Sequence, residues 1–437
     1  MLTIFACPKP FTNPHIAIIQ RNAITSWTLL RPKPEIILFG DEEGVAEICQ
    51  ELGLRHVPEV ARNEYGAPLV SDLFKKAQQL AAYDLLCYVN ADIILMGDFM
   101  EAVQRVQALK QKFLMVGRVW RVYIDTLWEF TSDWEQQLRD YVLRHGAQAP
   151  PPGNSDFFAF SRGLWTSIPP LAIGRGWWDP WLIYEARRLR ALVIDVSWAV
   201  MAVHQNHDQS AYPHGLRRWR EEINRNYELV GKEASRFCLL DATHLLTPSG
   251  LKRPFGIRYL VRSVDTLPLF HPALALPMGV PRMLIKAMRA LRERRQQARD
   301  PLYRLFRLVL SNLPKNGITS ILGLASQPDA DVSDGSKGLS LARLLLGGGY
   351  PVIVYDPEPT VMAQARRALG GPVEFATSVE ECVKEGDVIV LAAPRDEFKR
   401  LPVKTLVREN SPRVLIDCCQ FLKPEQFEGI VRYVSWR

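Results

Sequence analysis

The stretch Cys87–Met96, CYVNADIILM, decides how the first half of this chain is read. It is apolar on both sides of one carboxylate, Asp92, with Asn90 two residues earlier. Read as one buried strand, YDLLCYVNADIIL, it poses an energetic problem. An ionised carboxylate removed from water without a partner costs on the order of several kcal/mol or gives up its charge. A metal ion is one such partner.

Working outward, the flanking segments alternate between strand and helix patterns. LTIFAC reads as a strand. NPHIAIIQRNAITSW has helical spacing, with Asn13 as N-cap and Pro14 at the first helical position. EIILFG is a second strand ending in the acidic turn DEEG, GVAEICQELG a short helix closed by Gly53, and APLVSDLFKKAQQLA an amphipathic helix. This β-α-β-α order predicts an α/β fold with a parallel-rich sheet and helices on both faces. Beyond FLMVGRVWRV, SDWEQQLRDYVLRHG reads as a helix with a capping box of Ser132 and Glu135. AQAPPPGNSDFFAFSRGLW is a Pro/Gly loop entering a strand, and GWWDPWLIYEARRLR opens a helix at Asp179-Pro180. His204, His207 and Asp208 follow the last strand of ALVIDVSWAVMAVHQNHD.

The 437 residues suit two or three domains, and 47% apolar with 23% charged residues describes globular material. No apolar run is long enough to span a bilayer, and MLTIFACPKP reads as a first strand rather than a signal peptide. Seven scattered cysteines without a C-x-x-C fit a reducing cytoplasm. The net charge of +7 is uneven: residues 251–310 hold 13 Lys/Arg against 3 Asp/Glu, a balance of +10, which leaves −3 elsewhere. That distribution argues against a nucleic-acid binder, whose basic residues coat a folded face. A basic segment with helical apolar spacing, PRMLIKAMRALRERRQQARDPLYRLFRLVL, is either a solvated helix packed on a neighbour or a contact with an anionic membrane. From residue 316, strands and helices alternate again at doubly wound spacing. The expected domains are 1–250, a basic helical linker 251–315, and 316–437.

Polar residues gather at strand ends in the first domain: Asp41, Asn90, Asp92, Asp156, Asp179, His204 and His207. In open α/β sheets ligands bind beyond the carboxyl ends of strands. Their order is an acidic turn, an N-x-D strand, a G-x-x-D loop, a W-D helix start and H-x-x-H. In that order residues 1–215 resemble the GT-A glycosyltransferases, in the manner of family 2. The resemblance implies that Asp41 in GDEEG reads the nucleotide base. It implies that Asn90-Ala91-Asp92 stands for the family's D-x-D, with Asn in place of the first Asp and Asp92 as the surer metal ligand. Asp179 in GWWDPW falls in the place of the catalytic base, and His204 or His207 in that of a further metal ligand. Asp72, on the amphipathic helix, joins Asp41 and Asn90 on the nucleotide side, and Asp156 joins Asp179 on the sugar side.

The chemistry is consistent with these residue types. Expelling a nucleoside diphosphate calls for a divalent cation, Mn²⁺ or Mg²⁺, and a deprotonated acceptor calls for a carboxylate base. Each residue also has a plainer reading. Asp179 before Pro180 is a routine N-cap, Asp92 a strand end, Asp156 a loop former, and Trp177, Trp178 and Trp181 core.

Residues 321 to about 420 resemble the UDP-binding C-terminal domain of the UDP-glucose and GDP-mannose dehydrogenases, whose first strand runs into G-L-A-F-K-P-N-T-D-D-x-R-E-S. Gly323, Leu324, Ala325, Pro328, Asp331 and Ser336 are kept. Gln327, Asp334 and Gly335 replace the family's Lys, Arg and Glu. No G-x-G-x-x-G follows a strand, so the domain reads as a structural or dimerising module, or one with residual sugar-nucleotide binding.

The expectation is a metal-dependent, inverting glycosyltransferase in the cytoplasm or on the inner membrane face. It would take a sugar from a nucleoside diphosphate, UDP by preference, to a glycan or lipid-linked acceptor, with room for a homodimer. A non-catalytic sugar-nucleotide sensor and a sugar nucleotidyltransferase are the alternatives.

Overall fold

The computed structural model describes residues 1–148, 155–207, 215–325, 336–407 and 413–436. The chain packs into two units, Met1–Gln205 with Glu222–Ile285, and Asn206–Glu221 with Lys286–Arg437.

The first unit is built on a nine-stranded sheet. From its third strand to its far edge it runs Leu192–Asp195, Phe113–Val116, Phe157–Ser161, Leu85–Val89, Thr3–Ala6, Glu35–Phe39, Arg55–Val57. Neighbours are parallel except Phe157–Ser161, which is antiparallel to both of its own. Every residue of Leu85–Val89 is buried, as expected of a strand covered on both faces. One core joins Ile24, Trp27 and Phe99 on one side of the sheet. The other joins Phe74, Phe158 and Trp178 on the opposite side. Asn13 caps the helix Pro14–Leu29 by accepting from the His15 and Ile16 amides, and Gly53 ends Val45–Leu52, both as the sequence implied.

Four local expectations are corrected. YDLLCYVNADIIL is not one strand: Leu85–Val89 ends before Asn90, and Ile93–Ile94 joins a second, four-stranded sheet with Ala202–Gln205, Val119–Val122 and Ala147–Gln148. His204 therefore lies within a strand rather than after it. The helix after GWW spans Trp178–Arg188 with Trp177 at its N-cap, so Asp179 is inside the first turn rather than the cap. The capping box is absent, because Asp133 precedes the helix Trp134–His145 and Glu135 instead accepts from the Gly97 amide at 2.9 Å. That amide opens Gly97–Gln107, a helix that buries Phe99, Met100, Val103 and Val106 at helical spacing.

The second unit has a six-stranded sheet that is parallel throughout. Its order is Val373–Phe375, Val352–Tyr355, Thr319–Leu322, Val388–Leu391, Val414–Asp417, Arg432–Ser435. Counted along the chain this is 3-2-1-4-5-6, the doubly wound order with its switch point between Thr319–Leu322 and Val388–Leu391. Gly338 packs its helix onto the first strand so closely that a Cβ would lie 2.1 Å from the Gly323 carbonyl oxygen.

The segment 251–315, expected as a basic helical linker, is mostly helical beyond the strand Gly250–Lys252. Ile257–Phe270 belongs to the first unit and Pro301–Asn312 to the second, while Gly279–Arg299 runs across the division. Asp300 separates the last two helices by capping the Leu302 and Tyr303 amides ahead of Pro301. Among the described residues no helix is long and apolar enough to cross a membrane.

Candidate active site

The turn after Leu85–Val89 answers the question of the buried carboxylate. The Ile93 amide donates to the Asn90 carbonyl at 3.1 Å and closes the turn, so Asp92 sits at its end instead of within a ladder. Ile93–Ile94 pairs antiparallel with Ala202–Gln205 in the register His204↔Ile93. That register brings His204 Nε2 to 3.7 Å from Asp92 Oδ2. Gln205 fixes the Asp92 backbone, donating to its carbonyl from the main-chain amide at 3.2 Å and from Nε2 at 3.1 Å. Gln205 is wholly buried, and it also donates to the Ile19 carbonyl and accepts from Asn22.

His207 follows His204 by three residues. One ligand atom from each of Asp92, His204 and His207 lies within 4.8 Å of the other two. One carboxylate and two imidazoles form a donor set that fits a divalent ion, and the imidazoles favour a first-row transition metal over Mg²⁺. Asp208 lies outside the described residues.

The same turn reaches the candidate base. Tyr88 donates its hydroxyl to Asn90 Oδ1 at 2.8 Å, and Asn90 Nδ2 donates to Asp156 Oδ1 at 3.0 Å. The Asn90 amide also donates to the Asp156 carbonyl at 2.9 Å. This gives a reason for asparagine where the resemblance leads one to expect aspartate. A carboxylate at Asn90 would face that of Asp156 with like charge, whereas the amide bonds to it. The other oxygen, Asp156 Oδ2, is buried with no hydrogen-bond partner among the described residues.

Asp179 is next to this carboxylate. Burial first, and then the charge of Asp156, push its pKa up to about 7. Helix position alone would act the other way, because a carboxylate in a first turn is stabilised by the macrodipole. Burial, with Asp92 and Asp156 among the nearby negative groups, also keeps the Tyr88 phenol protonated. Trp178 fixes the helix start by packing edge-on to Tyr88 at 5.3 Å and against Phe158 at 5.0 Å. Trp178 and Trp181 are therefore core, and Trp177 is half-buried against Tyr227.

Asp41 lies elsewhere on the strand ends, after Glu35–Phe39 and Gly40. Gly40 takes φ 103°, and a Cβ there would meet Glu42 Oε2 at 2.1 Å, so the turn requires glycine. Arg62 Nη2 bridges Asp41 at 2.5 Å and Glu42 at 2.8 Å. Asp72 does not reach into the space beside them as a free carboxylate. It accepts from the Ala61 amide at 2.8 Å and pairs with Lys76 at 3.0 Å, which ties the Arg62 loop to the helix Val70–Leu80. Asp41, Arg62, Lys76 and residues 58–61 line a cleft of about 440 Å³. Sequence reading missed Arg62 and Gln205, since neither lies in a motif and each acts through residues distant in the chain.

In the second unit, the position following Val352–Tyr355 is Asp356. It accepts from the Leu324 amide at 2.8 Å and is paired with buried Arg395 at 3.2 Å. Arg395 also donates to the Ala325 carbonyl at 2.9 Å. The end of the first strand is thus occupied by the protein's own ion pair. Pro328, Asp331, Gln327, Asp334 and Gly335, on which part of the sequence comparison turned, lie outside the described residues.

Residues 320–424 match the UDP-glucose/GDP-mannose dehydrogenase family, UDP binding domain. No curated protein matches the chain. Solved structures that it resembles include TarS of S. aureus, at 10% identity and TM-score 0.32, covering 51% of this chain and 39% of that one. Glucosyl-3-phosphoglycerate synthase from Mycobacterium tuberculosis, in complex with Mn²⁺, UDP and phosphoglyceric acid, aligns at 18% identity and TM-score 0.30, covering 47% of this chain and 71% of that one. Mannosyltransferase PcManGT from Pyrobaculum calidifontis, in complex with GDP-Man and Mn²⁺, aligns at 16% identity and TM-score 0.34, covering 71% of this chain and 84% of that one. The chain spans 39% of the length of TarS.

Proposed function

We propose that the first unit is a metal-dependent GT-A glycosyltransferase that moves a sugar from a nucleoside diphosphate, UDP by preference, to a hydroxyl of a glycan or lipid-linked acceptor. The observation that carries this reading is the continuity of one polar line. Asp92 and His204 end one side of it, and Asn90 and Asp156 connect that turn to Asp179, a carboxyl poised near neutrality.

Asp92, His204 and His207 would hold the ion, Mn²⁺ in preference to Mg²⁺. Bound there, the ion would offset negative charge on the departing diphosphate. Asp179 takes the proton from the acceptor hydroxyl, since a base with a pKa near the working pH is both deprotonated often enough and basic enough to act. The acceptor oxygen bonds to the anomeric carbon while the bond from that carbon to the β-phosphate oxygen breaks, and the nucleoside diphosphate leaves with the electron pair. Attack opposite the leaving group inverts the anomeric centre. Asp156 orients the sugar with its second oxygen. Asp41, released from Arg62 or together with it, meets the base, and Asp72 holds that loop. The match at 320–424 supports a second module related to sugar-nucleotide binding.

The test is calorimetric titration of UDP and GDP into the full chain with Mn²⁺ and with EDTA, repeated on Asp92→Ala. The expected result is UDP binding that needs the ion and is lost in the variant. Binding of neither nucleotide under any metal condition would sink the reading. Binding without turnover of any UDP-sugar would favour the non-catalytic sensor.

A further inference from the structure

The helix Gly279–Arg299 is amphipathic in sequence but not packed in the way that this implies. Val280, Leu284, Met288 and Leu291 recur at spacings of four, four and three, one face of a helix. In a globular unit such a face is buried. Here all four are at least half exposed, and Leu276, just ahead of the helix, is 91% exposed. Among the helix residues with described side chains, only Ile285 is buried. Apolar exposure extends to the preceding segment: Phe255 is 97% exposed and Ile257 73%. That end of Ile257–Phe270 projects because the helix is anchored further along, by Arg262 on Asp241 at 2.6 Å and by Phe270 on Phe237.

Charge identifies what covers the stripe. The helix carries Arg282, Lys286, Arg289, Arg292, Arg294, Arg295 and Arg299 against a single acid, Glu293. Lys252, Arg253 and Arg258 flank the other exposed segment, where the one acid, Asp265, is buried. A second copy of the chain would bring two such basic helices together, a like-charge contact that costs rather than stabilises. A polyanion alone would leave the apolar side chains in water. A surface that is both anionic and apolar just beneath answers both features, and that is an anionic lipid leaflet.

We propose that Gly279–Arg299, with the Phe255–Ile257 tip as a second anchor, lies in the interface of an anionic membrane and holds the protein there without spanning it. The inference stands apart from the transferase reading, because none of these residues belongs to the candidate active site.

The test is flotation of the full chain with vesicles of phosphatidylcholine alone and of phosphatidylcholine with about 30% phosphatidylglycerol. It is run at ~50 mM and ~500 mM salt to separate screened charge from apolar insertion. Binding to the anionic vesicles only, weakened by salt, is expected. Arg282→Glu/Lys286→Glu should lower partitioning by about 10- to 100-fold, and Leu284→Glu/Met288→Glu by a similar factor that salt does not restore. Leu284, Lys286 and Met288 are exposed and Arg282 is half-buried, so an unchanged melting temperature will show that the variants fold. The proposal is overturned by absence of binding to either vesicle at low salt. It is also overturned by equal binding of the Leu284→Glu/Met288→Glu variant, or by a dimer in light scattering that this variant dissolves.

Discussion

Asp179→Asn separates the candidate base from a mere helix-start residue. The folded protein raises this carboxyl from 3.8 to about 7 through burial and the Asp156 charge. Below pH ~4 the group is protonated in both folded and unfolded chains and contributes no pH dependence. Between ~4 and ~7 the unfolded chain releases a proton that the folded one keeps, so wild-type stability falls as pH rises, and the full penalty persists above ~7. A shift of about three units corresponds to about 4 kcal/mol as an upper bound. Asp179 keeps part of its surface in water, so about half of that, ~2 kcal/mol, is a fair expectation. Asparagine keeps the shape and carries no penalty. The variant should therefore melt near wild type at pH 4.5 and about 4–8 °C above it at pH 8.5, for a domain of this size. Transfer activity should fall by at least ~100-fold, the usual worth of a general base. The assay is differential scanning fluorimetry of both proteins across this pH range, without nucleotide or metal, alongside release of UDP from UDP-sugars. A melting difference that does not change with pH would refute the claim that the carboxyl is destabilised in its charged form.

Two further outcomes follow from the ion pairs. Arg62→Ala should release Asp41 and Glu42 and change UDP affinity by about 3- to 10-fold, with little effect on the melting temperature, because the pair is partly exposed; calorimetry reads both the affinity and its metal dependence. Arg395→Met should cost the second unit about 3–5 kcal/mol by stranding Asp356; adding Asp356→Asn should recover most of it, as followed by urea denaturation.

How much was legible in the sequence differs from one residue to the next. Asn13-Pro14, Gly53 and the alternation of apolar runs are local signals, since a cap or a glycine turn is stabilised by neighbours in the chain. The doubly wound second unit could be read for the same reason. Motif order led to Asp92 and either His204 or His207 as metal ligands; the register of Ile93 against His204 is what sets His204 3.7 Å from Asp92. The capping box failed because Glu135 had a better use, the amide of Gly97, 38 residues away. The strand through Asp92 failed because apolar periodicity does not distinguish one strand from two joined by a tight turn.

The sequence by itself determined the α/β class and the basic, apolar-striped segment, because these depend on composition and spacing along the chain. Only the tertiary structure decided that His204 comes to Asp92, that Asn90 bonds Asp156, that Arg62 holds Asp41, and that burial beside Asp156 brings Asp179 near neutrality. Each of these is set by desolvation and by partners distant in sequence, and neither is a property of a residue and its chain neighbours alone.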